Sequence, residues 1–297
     1  MSRLLFAPLS HAARSGAASA ARRCLSASAG HTPFRVAFAQ LDSSPESVAT
    51  ITMDCSKANS FDYAALQGFS HALAQVESRS GVRGLVLQSA VAGFFSAGYS
   101  LPVFHAISHA DFARLWALSR GVFRRLHALP VPSVAAIDGH ALGLGCALAM
   151  ACQRRYIVRS PRLIGLNEVA VGLPVPAWLA DRFRDLTTLR AAEELLPTGA
   201  SLTADSALAL GLVDCAFDTP DAMAAAATAY LRRCAAAPQA PQTETIAALR
   251  RDYLARFDAD CERDTDQLWR AISSSDTQHA IAAAIARLAR KRGPAAQ

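Results

Sequence analysis

Glu168 is the one ionisable side chain between Leu163 and Ala180; its neighbours there are mostly Leu, Val, Ala and Pro, with Trp178. A carboxylate among apolar groups loses hydration, which favours its neutral form and raises its pKa. A carboxyl group that titrates near neutrality can take up a proton and return it, as general acid–base catalysis requires. A solvated glutamate at a loop end fits the same segment, so Glu168 needs companions before it implies chemistry.

Two glycine-containing loops are candidates for that role. Phe95-Ser96-Ala97-Gly98-Tyr99 and Gly143-Leu144-Gly145 each follow an apolar run that reads as a buried strand. Glycine permits backbone conformations that aim N–H groups outward. Gly143-Leu144-Gly145 also stands at a helix start, where amides are free and the dipole is positive. Two such amides aimed at one point make an oxyanion hole, which stabilises the charge that proton abstraction creates. Tight strand-to-helix turns explain both loops nearly as well. A dinucleotide fingerprint does not, because Leu148 stands where the third glycine of G-x-G-x-x-G belongs.

Metal chemistry finds no support. The seven cysteines are scattered without CxxC or Cys/His spacing, and the eight histidines do not pair on a helix face. The cysteines read as small buried hydrophobes in a reducing compartment. No metal and no cofactor is expected.

The formal charge of +6 is unevenly spread. No acidic residue precedes Asp42, whereas Arg3, Arg14, Arg22, Arg23 and Arg35 all do, in a context rich in Ala and Ser. This pattern reads as a mitochondrial transit peptide over residues 1–35, with a disordered tail as the plain alternative. Without that segment the formal charge is +1, so basicity gives no reason to expect a nucleic-acid partner. No charge-free apolar run of about 18 residues occurs, so no membrane span is expected.

The elements that must hold these groups alternate. Strands are expected at 48–53, 84–89, 133–138, 156–158 and 163–166, with a further β element closing at 211–214. Helices are expected at 61–79, 111–128, 146–152, 188–196 and 204–210. Strands alternating with helices imply an α/β fold. Pro238 to Pro241 reads as a linker. Beyond it, 245–256, 259–271 and 276–291 read as helices with no core of their own, suited to packing on a neighbouring subunit.

Together, Phe95-Ser96-Ala97-Gly98, Pro132-Ser133-Val134-Ala135-Ala136-Ile137-Asp138-Gly139, Gly145-Cys146 and Ile164-Gly165-Leu166-Asn167-Glu168 resemble the crotonase (enoyl-CoA hydratase/isomerase) superfamily, from about Val48 to Gly293. Glu168-Val169-Ala170-Val171-Gly172 with Pro176-Ala177-Trp178-Leu179 is most similar to its mitochondrial Δ3,Δ2-enoyl-CoA isomerase branch. Arg190-Ala191-Ala192-Glu193, Ala207 to Asp214 and Asp258-Ala259-Asp260 are similar as well. The resemblance implies a spiral of ββα units over 36–237 and a C-terminal helical trimerisation region over 238–293. It implies an acyl-CoA substrate and a homo-oligomer, usually a trimer, in the mitochondrial matrix.

Family hydratases use two glutamates, and the second would fall at Ala147, which has no functional group. The resemblance therefore implies Glu168 as a lone catalytic proton shuttle, with the Tyr99 and Leu144 amides as oxyanion donors. CoA would lie across Ser56-Lys57-Ala58-Asn59-Ser60 and the Ser96-Ala97-Gly98 loop, with Gly143 beside it. Lys57, or Arg290, Lys291 and Arg292, could meet a phosphate; solvated lysine and helix-end charge explain them too. Trp178 and Phe123 could line the acyl pocket, or be plain core. Two positions depart from the family pattern. Ser100 replaces the usual Asp, and Tyr99 is bulkier than the usual Ala or Leu, enough to narrow the acyl channel. A hydratase or thioesterase relative stays open at this point. So does a crotonase-fold RNA-binding protein, although the first helix, 61–79, carries Arg79 and no lysine.

Overall fold

Apolar runs of two kinds build two sheets. The structure, a computed structural model, describes residues 32–41 and 46–291. Its strands are β1 (Phe34–Gln40), β2 (Ser47–Met53), β3 (Val82–Ser89), β4 (Phe94–Ser96), β5 (Ser133–Ile137), β6 (His140–Leu142), β7 (Arg154–Val158), β8 (Ile164–Gly165) and β9 (Cys215–Phe217). The larger sheet runs β1-β2-β3-β5-β7-β9, and the smaller runs β4-β6-β8. Only β1 and β2 pair antiparallel, with Phe34 opposite Met53; the other pairs are parallel. Along β2 every second residue is buried, the period-two pattern of a half-covered strand. β5 is buried at all five positions, as a central parallel strand covered on both faces must be.

The helices are α1 (Tyr63–Ser78), α2 (His109–His127), α3 (Leu144–Ala151), α4 (Ala177–Leu186), α5 (Leu189–Leu195), α6 (Ala204–Ala209), α7 (Pro220–Ala235), α8 (Gln239–Ala259), α9 (Cys261–Ser273) and α10 (Ser275–Lys291). Side-chain caps fix several starts. Asp62 accepts from the Ala65 amide at 2.8 Å and Ser108 from that of Asp111 at 3.1 Å. α1 therefore begins after Phe61, whose ring packs in the core instead. All eight residues of α3 are buried, so its flanks must be sealed by neighbours.

Several expectations need correction. β1 begins at Phe34, so Phe34 and Arg35 belong to the folded unit rather than to a leader; Phe34 is buried against Phe61 and Phe69. Residues 1–31, where the rest of the leader reading falls, lie outside the described residues. Helices α4 and α7 were not expected, and the strand near 211–214 lies at 215–217. Pro238 to Pro241 is no linker: Pro238 is the N-cap of α8 and Pro241 sits in its first turn, where a missing N–H costs nothing.

The C-terminal helices also find a core within their own chain. Phe257, Leu268, Ile272 and Ile281 are buried in the main hydrophobic cluster. Asp264 of α9 accepts from Trp116 Nε1 at 3.0 Å and pairs with Arg120 at 2.9 Å, both from α2. No helix among the described residues is long and apolar enough to cross a membrane.

Candidate active site

The Ser96–Tyr99 loop is pinned from below by Asn59. Asn59 has a positive φ of 46° and is fully buried. Its Nδ2 reaches Ser89 Oγ at 2.8 Å, Phe95 O at 3.2 Å and Met53 O at 3.3 Å, while Oδ1 accepts from the Cys55 amide at 3.0 Å. Ser96 Oγ donates to Asn59 O at 2.7 Å and accepts from the Gly98 amide at 3.1 Å. The Ala97 amide donates to Ala58 O at 2.9 Å. The side chains of Asn59 and Ser96, two residues of the segments expected to lie along CoA, are thus bonded inward and shape the loop. Lys57 lies exposed on the turn outside.

Gly98 has φ +82°, and a Cβ there would lie 2.7 Å from Leu142 O and 3.1 Å from the Leu144 amide nitrogen. Only glycine lets the two loops approach this closely. A Cβ on Gly145 would fall 2.4 Å from Ser96 O, so the start of α3 rests directly on β4. Gly143, at φ +53°, is the N-cap of α3 and offers no capping side chain. The first intrahelical bond is Ala147 N–H to Gly143 O at 2.9 Å. Among the described residues, no protein acceptor takes the amide of Tyr99 or of Leu144. The sequence-expected pair of donors thus comes together, both free, one of them at a helix N-terminus.

Glu168 follows β8 and precedes a 3-10 turn, Val169–Val171, that ends on left-handed Gly172. Its carbonyl accepts from Leu173 at 2.9 Å and Val171 at 3.0 Å, which fixes the backbone. The residue as a whole is half-buried, but Oε2 is sealed from solvent and has no partner among the described residues. Burial pushes the carboxyl pKa up to about 7, against a smaller opposing pull from its own backbone amide. Oε1 would lie 3.6 Å from a Cβ on Gly143, so the carboxylate faces the free-amide corner. Ala147, one turn into α3, is fully buried.

An apolar pocket enclosing about 390 Å³ of empty space, part of it open to solvent, joins these groups. Tyr99, Leu144 and Glu168 are among its lining residues. Phe104, Trp116, Trp178 and Leu179 line it too, with Leu173, Pro174 and Pro176 and, from α9, Leu268 and Ile272. Glu168 is the only carboxylate in this lining. Phe123 is not among the lining residues: it packs tilted against Trp178 in the core, ring centroids 4.6 Å apart and planes at 57°. Phe104, Trp116, Leu268 and Ile272 escaped the sequence reading. The i, i+4 pair Leu268 and Ile272 was visible as a helical stripe, but nothing local tells which surface it covers. The Tyr99 phenol is held far above its usual pKa by burial, and by the Glu168 charge, against the Ser119 hydrogen bond, so it stays neutral.

Free amides beside a desolvated carboxyl are the kind of arrangement that can hold an oxyanion and exchange a proton, and the fold that carries it recurs in known proteins. The crystal structure of human mitochondrial delta3-delta2-enoyl-CoA isomerase matches with a TM-score of 0.81 at 27% identity, covering 87% of this chain and 100% of that one. Human mitochondrial enoyl-CoA delta isomerase 1 is 30% identical over 222 residues, 74% of this chain and 73% of its own. The mouse protein of that name is 32% identical over 171 residues, and the match spans 57% of this chain but only 59% of that relative's length. The model of the enoyl-CoA hydratase/isomerase family matches residues 43–292, across both loops, Glu168 and the C-terminal helices that cover the pocket. With its crotonase fold, this chain belongs to the enoyl-CoA hydratase/isomerase family.

Proposed function

We propose that this chain is a Δ3,Δ2-enoyl-CoA isomerase, moving the double bond of a 3-enoyl-CoA to the trans-2 position with Glu168 as its single proton carrier. The observation that carries this reading is that Glu168 is the only carboxylate lining the pocket that holds both free amides. A hydratase must activate water and also protonate the enolate, and the position of its second glutamate is a buried alanine here.

In the first step the Glu168 carboxylate takes the C2 proton. The C2–H electron pair moves into the thioester, whose oxygen becomes a dienolate oxyanion held by the N–H groups of Tyr99 and Leu144. In the second step Glu168 returns the proton at C4, the oxyanion collapses, and the double bond stands between C2 and C3. No water is consumed and no redox partner is needed. A carboxyl pKa of about 7 suits both directions of transfer. Each amide donor is worth ~3 kcal/mol of barrier, by the scale of oxyanion-hole deletions.

The CoA portion is proposed to cross the 56–60 turn at its exposed residues Ser56 and Lys57, where Lys57 can meet a phosphate and the backbone of Ala58 and Ala97 forms the rim. We extend the proposal to a homotrimer, which light scattering tests, and to the mitochondrion, where the human and mouse enoyl-CoA delta isomerase 1 proteins are named as belonging. The deciding experiment incubates the protein with 3-hexenoyl-CoA and with trans-2-hexenoyl-CoA. Conversion of the first to the conjugated 2-enoyl product supports the isomerase. Rapid formation of 3-hydroxyacyl-CoA from the second overturns it in favour of a hydratase.

A further inference from the structure

We propose that the Tyr99 side chain is the end-stop of the acyl slot, limiting the site to short-chain enoyl thioesters. The inference rests on the acyl-CoA reading above and adds to it the substrate range and the residue that sets it. Tyr99 serves twice by different parts: its amide faces the oxyanion corner, while its ring lines the apolar pocket.

The ring is held from two sides. Its hydroxyl hydrogen-bonds Ser119 Oγ on α2, and Ser119 is fully buried. A buried phenol needs such a partner, and the bond orients the ring as well as satisfying the hydroxyl. The Tyr99 ring makes a T-shaped contact with that of Phe104, centroids 5.0 Å apart and planes at 74°. Phe104 is itself 1% exposed, so on that side the Tyr99 ring rests on packed core.

The residues around Phe104 are equally fixed. Gln278 of α10 donates through Nε2 to Phe104 O at 3.0 Å and to Ile272 O at 2.8 Å, and its Oε1 accepts from the Ala106 amide at 2.9 Å. One side chain thus ties the Phe104 segment to α9. Trp116, beside Ser119 on α2, is anchored to Asp264 of the same α9. Tyr99, Phe104, Trp116 and Ile272 therefore close the slot as a braced assembly rather than as a flap. A chain too long for the slot has to displace packed aromatic rings, and packed interiors resist such displacement. A smaller side chain at position 99 leaves the N–H donor in place and removes the ring.

The test compares kcat/KM for 3-hexenoyl-CoA and 3-dodecenoyl-CoA in the wild type, Tyr99→Ala, Tyr99→Phe and Phe104→Ala. The wild type is expected to favour the shorter substrate by on the order of ten-fold or more, the scale on which pockets discriminate by chain methylenes. Tyr99→Ala should shift that ratio toward the longer chain by a similar factor, and Phe104→Ala should shift it in the same direction, which covers a Tyr99→Ala protein that fails to fold. Tyr99→Phe keeps the ring and should hold the ratio within about two-fold of the wild type. Equal use of both chain lengths by the wild type overturns the proposal, as does an unchanged ratio in the folded alanine variants. If no chain length is isomerised, the isomerase reading fails on its own. Calorimetric binding of hexanoyl-CoA against dodecanoyl-CoA then decides the end-stop separately: equal affinities overturn it, and preference for the shorter chain, relaxed in Tyr99→Ala, supports it.

Discussion

Gly98 and Leu144 meet where two loops from different parts of the chain converge, so closely that a single added methyl on Gly98 would stand 3.1 Å from the Leu144 amide nitrogen. The same methyl would press to 2.7 Å on Leu142 O, in a backbone conformation, φ +82°, that favours glycine. Gly98→Ala is therefore expected to lower stability by about 1–3 kcal/mol. It should also lower kcat by more than the fall in substrate binding, because both donors shift. Urea denaturation and steady-state kinetics check this; a kcat equal to wild type would mean the two amides do not act together.

Glu168→Gln removes the proton carrier while keeping the side chain's shape. Isomerisation of 3-hexenoyl-CoA should fall by about 10²–10⁴-fold, the usual share of a positioned acid–base group. The folded protein should not suffer, since Oε2 has no partner to lose. A Tm at pH 8 at or above that of the wild type, together with lost activity, is the expected pair of results.

The same carboxyl makes stability depend on pH in a stated direction. Its pKa rises from 4.5 to about 7 on folding, so between those values the folded protein holds a proton that the unfolded chain has released. The stabilisation present below pH 4.5 is lost as pH rises through about 7, an amount on the order of 3 kcal/mol. Denaturant midpoints of wild type and Glu168→Gln across pH 5 to 8 should converge at the acid end and separate at the basic end. Activity runs the other way: kcat/KM should fall below about pH 7, where the base is protonated.

Asp264 braces the pocket wall by accepting from Arg120 and Trp116, all three buried. Asp264→Ala leaves the Arg120 guanidinium without its carboxylate, although the bond to Phe257 O at 2.6 Å survives. The expected loss is about 3–5 kcal/mol. Replacing both partners, Arg120→Met with Asp264→Leu, should restore much of it, because the stranded charge is gone. A double variant as weak as the single one, measured by denaturation, would show that packing rather than charge dominates.

The residues themselves determined the chemistry of each part. Glu168 lies in a charge-free stretch, and desolvation acts on whatever surrounds it, so its raised pKa was readable before any fold was known. The glycines at 98 and 143 announced backbone conformations that other residues avoid. The runs at 84–89 and 133–138 announced buried strands, and 133–137 is buried at every position. These are local properties, carried by a residue and its near neighbours.

Tertiary structure decided everything that depended on partners distant in the chain. The sequence places Asn59 on a segment expected to lie along a ligand; only the fold shows its side-chain amide bonded to residues 30 and 36 positions away. The C-terminal helices looked coreless because their apolar stripe has no local partner. Asp264 finds Arg120 and Trp116 across separations of 144 and 148 residues, and Leu268 and Ile272 then close a pocket on their own chain. An apolar stripe states that a surface must be covered. What covers it follows from the packing of all the elements together, and no single segment contains that information.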